Sequence, residues 1–430
     1  VMQYFVKDLM IRGSFMISKP PGVEDIFPDK IDRWNFVLQS AFSVFQSYNY
    51  REIIVPVMEF TEVFARGIGT ETDIVSKEMF TFEDRGGRSL TLRPEGTAGV
   101  VRAYVENGEY NRLSICKFFY CGPMFRAEKP QRGRLRQFNQ FGAEVFGSFD
   151  PYYDYEIISM VNDISHKVGI DSFKILINSI GCRSCRSEYI IKLRDYYKSN
   201  HDKLCKDCQR RLETNPLRLL DCKNESCSSL KVNAPAIRDF ICNDCKGHFE
   251  KVKEYLDLGN IAYTEDPYLV RGLDYYTKTT FEFVTDKLGG QNAFAGGGRY
   301  DYLVEQFGGK PTPGVGFAAG IERINLLIED RPIDAKGTDV FFIHTGGQSF
   351  MESVALIRKL RLLGISCDVD PEVKGFKSQF KRAERENARF AVIIGEDEVQ
   401  SREATVKDQK TGQQEKVPFE KLSDFIKNNK

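Results

Sequence analysis

No stretch of about 18 or more apolar residues occurs in the 430-residue chain, so no segment reads as a membrane-spanning helix. Net charge is missing too. Lys and Arg number 61 against 61 Asp and Glu, so contact with a polyanion has to come from a local patch rather than from the field of the whole protein. Internal repeats and low-complexity runs are absent. The N-terminal VMQYFVKDLMIRGSFM carries Lys7, Asp8 and Arg12 and shows no small-residue cleavage pattern, the wrong make-up for a signal peptide. Two readings of this segment stand open: residues 1–15 are native, or Met16 is the natural start and they are an upstream extension with little structural role. The cysteines, an odd 11 without a secretory signal, point to reduced thiols and a cytoplasmic chain. Against these absences stand 41% hydrophobic and 12% aromatic residues, enough for real cores in two or three domains.

Periodicity gives the organisation. Trp34, Leu38, Phe42 and Phe45 recur at helical spacing between Ile31 and Tyr48. The following REIIVPVMEF is rich in β-branched residues, but Pro56 demotes it to an edge or interface strand because proline cannot donate to a ladder. Two aromatic runs, CKFFYCGPMFRA and QFNQFGAEVFG, flank the charged EKPQRGRLR and predict an antiparallel hairpin between Cys116 and Gly147. Residues 181–262 hold eight of the cysteines among many charges and read as an inserted domain. YLVRGLDYYTKTTFEFVTD is expected to form a pair of strands, followed by AGGGRYDYL and by GVGFAAG leading into a helix. After the RPIDAKG linker a separate domain, residues 338–430, offers the strand candidates TDVFFI, ISCDVD and FAVIIG between helical patterns, which predicts a small parallel α/β sheet.

On the strand from Gln137 to Gly147, alternation puts Gln140, Gly142 and Glu144 on one face and Phe141 and Val145 on the other. A polar face interrupted by glycine leaves room for a small ligand between an amide and a carboxylate. Arg126 and Glu128, at the end of the partner strand, add a cation beside it. That combination suits an amino acid and a phosphate.

These residues also carry a resemblance. MFRAEKPQRGRLRQFNQFGAE resembles motif 2 of the class II aminoacyl-tRNA synthetases in its histidyl version. LVRGLDYY and GGGRYD resemble the two histidine-specific signatures of the histidyl-tRNA synthetase family, GVGFAAGIERI resembles motif 3, and LTLRPEGT is similar to its amino-acid binding loop. The resemblance runs from about Pro20 through the C-terminal region. It implies an α+β fold: a class II catalytic domain over 16–330, its antiparallel sheet flanked by helices and carrying the insert, then an α/β anticodon-binding domain. It further implies activation of histidine with ATP, transfer to tRNA(His), magnesium accompanying ATP, and a homodimer joined through the motif around Pro56.

Roles follow from the charges each residue has to face. When the histidine carboxylate attacks the α-phosphate and pyrophosphate leaves, negative charge meets negative charge, and such chemistry is catalysed by positioning and by well-placed cations. Arg126, whose planar fork can hold two oxygens, is expected to bridge the carboxylate and the α-phosphate. The resemblance gives Arg271 the other side of that phosphate, and Arg126, Glu128 and Arg323 the ATP, with Arg323 at its γ-phosphate end. It assigns histidine to Glu95, Gly96, Thr97, Arg126, Gln140, Glu144, Arg271, Tyr275, Tyr276 and Tyr300. A polar pocket is what discrimination between amino acids requires, because buried groups left unpaired reject the wrong side chain better than a greasy wall can. Gly296, Gly297 and Gly298 are expected to let backbone approach the ligand.

The loop from Glu128 to Arg136, with Lys129, Arg132, Arg134 and Arg136, is a basic patch in a neutral chain, and the resemblance makes Gln131 and Arg136 candidates for the tRNA acceptor end. The cysteine spacings Cys182/Cys185, Cys205/Cys208, Cys222/Cys227 and Cys242/Cys245 suit two four-thiolate zinc sites, and equally a set of reduced thiols in a divergent insert. Two rivals differ in class. A regulatory paralogue that binds the first enzyme of histidine biosynthesis typically lacks the C-terminal domain and has eroded histidine signatures, and both stand here. The other rival is an RNA-binding module whose function sits in the cysteine insert.

Overall fold

The computed structural model describes residues 17–69, 72–289, 292–333, 337–372 and 374–429. The question of an extension over 1–15, and part of the RPIDAKG linker, lie outside the described residues. The chain divides into two compact units, with the boundary along the sequence between Arg331 and Pro332.

The first helix among the described residues, Pro28–Ser47, begins on a proline, whose missing N–H is unneeded in a first turn. It buries Val37, Ala41, Val44 and Phe45 as one stripe. The strands of this unit are β1 (Arg51–Glu52), β2 (Met58–Phe60), β3 (Phe80–Glu83), β4 (Ser89–Leu92), β5 (Cys116–Phe125), β6 (Gln137–Phe146), β7 (Lys174–Ser179), β8 (Thr264–Glu265), β9 (Thr277–Val284), β10 (Ala293–Arg299) and β11 (Gly314–Gly320). Among the described residues, eight of them form one sheet in the order β1-β5-β6-β11-β10-β9-β7-β8, and β2-β4-β3 form a small second sheet. The large sheet is antiparallel except where β1 joins β5 and β8 joins β7.

Two sequence expectations change here. REIIVPVMEF is not one edge strand: β1 ends at Glu52 on the rim of the large sheet, residues 53–57 belong to no strand, and β2 pairs with β4 in the small sheet. Pro56 lies in the gap between the two strands, where its missing N–H costs neither ladder a bond. YLVRGLDYYTKTTFEFVTD yields one strand, β9, rather than two. Residues 268–276 are an irregular loop whose Leu269 carbonyl accepts from the Asn178 amide at 2.9 Å and whose Tyr276 carbonyl accepts from Arg186.

One face of the large sheet packs on the helices Pro28–Ser47 and Tyr152–Val168, with Phe119, Phe141, Phe317, Phe281 and Phe283 in a single apolar cluster. The insert is helical, built on Arg183–Lys198, Lys206–Thr214, Glu225–Lys231 and Asn243–Leu258. Its Tyr189, Leu193, Leu212 and Leu219 join Tyr120, Tyr275, Tyr276 and Tyr300 in a second cluster, so the insert is packed onto the sheet's other side. The Arg299 of GGGRYD is fully buried in an ion pair with Asp154, which also meets His248 of the last insert helix at 3.3 Å.

The second unit is a five-stranded sheet in the order β13-β12-β14-β15-β16, from β12 (Val340–His344), β13 (Cys367–Val369), β14 (Phe390–Ile394), β15 (Glu403–Asp408) and β16 (Gln414–Pro418). The three expected strands run parallel, but an antiparallel hairpin, β15 and β16, extends the sheet and makes it mixed.

Candidate active site

The side of the large sheet away from the phenylalanine cluster is floored by residues with little or no side chain. Cross-strand register lines up Tyr120 (β5), Gly142 (β6), Ala318 (β11), Gly296 (β10) and Glu282 (β9) in one transverse row. The three small residues in the middle leave a trough between a phenol and a carboxylate. A Cβ on Gly142 would meet the Tyr120 hydroxyl at 2.5 Å, and one on Gly296 would meet the Arg271 guanidinium at 2.6 Å, so the neighbouring side chains already occupy the space the glycines leave. Of the glycine trio, Gly296 lines the trough, whereas Gly297 and Gly298 lie against the backbone of β11 and β9.

At one end of the trough is a buried polar cluster. Glu144, with no exposed surface, accepts hydrogen bonds from the Thr97 hydroxyl at 2.6 Å and the Tyr300 hydroxyl at 2.5 Å. Burial pushes its carboxyl up to about 8. Glu95 accepts from the backbone N–H groups of Thr97 and Ala98 at 2.7 and 2.8 Å, satisfying donors at the start of the helix Thr97–Glu106, and burial raises it as well. Gly96 is required there because the Tyr120 ring fills the place of a side chain. Tyr275 and Tyr276 are buried with ring centroids 4.6 Å apart, and Tyr275 meets Tyr300 edge-on at 5.6 Å. Tyr120 Oη and Gln140 Oε1 are buried and find no hydrogen-bond partner among the described residues, as does Arg271 Nε. Buried polar atoms are nearly always satisfied in proteins, and of the ten such orphans among the described residues these three border one trough, which makes it a candidate site for a polar ligand.

The remaining cations line a continuous cavity of about 320 Å³. Arg126 donates to the Pro94 carbonyl at 3.0 Å and lies over the Phe138 ring, 5.2 Å from its centroid. Burial lowers Arg126; at Arg271 burial pulls the same way, but the opposing Glu282 carboxylate together with Tyr276 and Tyr275 outweighs it and raises the group. Arg323, on the helix Ile321–Leu327, is lowered by burial and donates to the carbonyls of Gly133 and Ala293, which ties that helix to the β5–β6 loop. Glu128 is paired with Arg134. Arg136 donates to the Glu128 carbonyl at 3.2 Å at the base of the loop, and Gln131 is exposed at its tip, bridged to Arg134.

The structure therefore brings Glu95, Gly96, Thr97, Glu144, Tyr275, Tyr276 and Tyr300 into one buried cluster, and Arg126, Glu128, Gln140, Arg271 and Arg323 along the adjoining cavity. Gln131 and Arg136 do not line that cavity. Sequence reasoning missed Tyr120, Glu282 and Glu322. Alternation along β5 and β9 puts the first two on the polar face and could have found them. Glu322, which accepts from Asn139 N and Nδ2 at 2.8 and 3.0 Å, carries no such signal.

Residues 22–184 and 224–324 match the histidyl-tRNA synthetase family, and residues 339–429 match an anticodon-binding domain. The histidine–tRNA ligase of Halothermothrix orenii is 48% identical over 409 residues, covering 94% of this chain and 98% of that one. Its counterpart in Natranaerobius thermophilus is 46% identical over 417 residues, covering 96% and 99%. The crystal structure of apo histidyl-tRNA synthetase from S. aureus, 38% identical, has a TM-score of 0.81 and covers 96% of this chain and all of that one. On sequence, fold and site alike, the chain belongs to the histidyl-tRNA synthetase family of class II aminoacyl-tRNA synthetases.

Proposed function

We infer that the chain is a histidine–tRNA ligase. It joins the histidine carboxylate to the α-phosphate of ATP, releasing pyrophosphate, and then passes the histidyl group to the 3′ end of tRNA(His), releasing AMP. The observation that carries this reading is the glycine-floored trough, with orphaned polar atoms and two buried carboxylates at one end and arginines along the other.

In this reading Glu144, Glu95, Thr97, Gln140 and the three tyrosines hold histidine. A carboxyl already poised near neutrality ionises readily when an ammonium or imidazole N–H arrives, which suits Glu144 to a cationic substrate. Arg126 and Arg271 meet the charge that builds as carboxylate and phosphate approach, and being fixed beforehand by Phe138 and Glu282 they reorganise little in doing so. Arg323 and Glu128 belong to the ATP end, and ATP enters as its magnesium complex.

Gln131 and Arg136, on the basic loop, are placed for the acceptor strand of the tRNA, and the second unit for its anticodon. The exposed Ile54, Met58 and Phe60 around Pro56 support a homodimer through that edge, since exposed apolar side chains that cluster mark contact surfaces. The activity belongs in the cytoplasm, where its tRNA is. Amino-acid dependent exchange of pyrophosphate into ATP, run with all twenty amino acids, tests the reading: exchange should appear with histidine alone. Exchange with a different amino acid, or none, would replace the assignment.

A further inference from the structure

The cysteines of the insert lie outside the catalytic chemistry, yet the fold gathers them into two groups of four. Cys182, Cys185, Cys242 and Cys245 form one, and Cys205, Cys208, Cys222 and Cys227 the other, with the sulfurs of each group all within 4.8 Å of one another. We propose that both groups are tetrathiolate zinc sites, and that the second staples residues 206–221 into a wall of the catalytic cavity.

Geometry supports the metal. Four sulfurs about 2.3 Å from a tetrahedral zinc lie about 3.8 Å apart. The separations here are 3.6 Å for Cys182–Cys185 and 3.9 Å for both Cys185–Cys245 and Cys205–Cys222, far from a covalent disulfide. Each group brings together chain segments remote in sequence, and CxxC pairs sit where helices begin: Cys182 precedes Arg183–Lys198, Cys205 precedes Lys206–Thr214 and Cys242 precedes Asn243–Leu258. Converging helix N-termini repel one another unless negative charge lies between them, and thiolates on zinc supply it. Backbone N–H groups already point at sulfur, from Cys205 to Cys227 at 3.2 Å and from Cys242 to Cys185 at 3.1 Å.

The second site falls where the helix Lys206–Thr214 has little apolar surface of its own, although the turn that follows it buries Pro216, Leu219 and Leu220. The helix KDCQRRLET buries only Cys208 and Leu212. A nine-residue helix with so little apolar surface is marginal without a further constraint, and metal binding contributes folding energy directly. Yet this segment reaches the active site. Arg211 meets Asp73 at 2.5 Å, Arg218 meets the same carboxylate at 3.5 Å, and Asn215 donates to Asp274 at 2.7 Å. Arg218 and Asp221 line the cavity beside Arg271 and Gly272, and Cys222 follows Asp221 directly. The staple thus ties the insert to the loop that carries Arg271.

Elemental analysis of the full chain, purified in reductant without chelator, should find two zinc ions per chain. Cys222→Ser with Cys227→Ser should leave one, and Cys242→Ser with Cys245→Ser should also leave one. Because the staple rests on the catalytic reading, it is read separately: in histidine-dependent pyrophosphate exchange the Cys222/Cys227 pair should raise the KM for ATP by roughly tenfold, the size of a lost charge-assisted contact. Arg211→Ala with Arg218→Ala should reproduce that rise while keeping both zinc ions. Fewer than two zinc ions in folded, active wild-type chain would overturn the sites, as would nitrogen or oxygen ligands in its zinc X-ray absorption spectrum, a measurement that needs no variant. Two zinc ions together with an unchanged ATP KM in the arginine variant would overturn the staple and leave the catalytic reading intact.

Discussion

On β11, Val315, Phe317 and Ala319 sit in the apolar cluster beneath the helices, while Gly316, Ala318 and Gly320 alternate with them on the trough side. The two faces of one strand thus solve opposite problems. The buried face is stabilised by what its side chains fill, at about 25 cal/mol per Å² of apolar surface removed from water. The trough face works through what is missing: each absent Cβ is space for a neighbour such as the Glu144 carboxylate opposite Gly316. The same contrast runs across β6, where Phe141 and Val145 fill the core and Gly142 and Glu144 face the ligand side. Adjacent positions in such a strand should therefore fail differently, one through the fold and the other through the chemistry.

The sharpest way to break that contrast is to alter two neighbours on β11. Phe317→Ala should lower the unfolding free energy by about 3–5 kcal/mol by leaving a cavity in the core. Gly316→Ala forces a methyl group into the Glu144 carboxylate, so it should cost about 1–3 kcal/mol of strain while raising the KM for histidine. Denaturant unfolding alongside exchange kinetics separates the two, and equal loss of stability with normal histidine binding in both variants would abolish the distinction.

Arg271→Ala should leave the fold and ATP binding largely intact and reduce the exchange kcat by about 10²–10³-fold, as expected when a preorganised charge is removed from the transition state. A near-normal kcat in single-turnover measurement would remove Arg271 from the mechanism.

A further effect concerns pH. Burial raises the Glu144 carboxyl from 4.5 to about 8 in the folded chain, so between those values the folded state keeps a proton that the unfolded state has released. Stability is lost as pH rises through that window. Compared with Glu144→Gln, which does not titrate, the wild type should lose thermal stability from pH 5 to pH 8 and change little beyond pH 9. A constant difference across the range would mean that Glu144 is ionised throughout.

Legibility followed the strength of the local pattern. The helix over 28–47 and the hairpin of β5 and β6 each bury a continuous apolar stripe or alternation, and both stand in the structure. The hairpin of β15 and β16 went unseen because its buried residues are few, Ala404, Val406 and Val417 among charged neighbours, and an edge hairpin needs no more. LVRGLDYY read as a strand because its apolar residues are real. They are buried in a loop, held by hydrogen bonds from Asn178 and Arg186 that no local pattern announces.

The sequence alone determined the polar face of β6, the arginine-rich hairpin loop, the cysteine spacings and the family that these motifs share, because each is a matter of residue type at short separation. Only the tertiary structure decided that Tyr120, Gly142, Ala318, Gly296 and Glu282 lie in one row, since that register depends on pairing among five strands drawn from residues 116 to 320. The same holds for Asp73 beneath Arg211 and Arg218, and for the gathering of eight cysteines into two fours. Contacts of that kind are made by closing long loops, and no periodicity within a loop records where its two ends will meet.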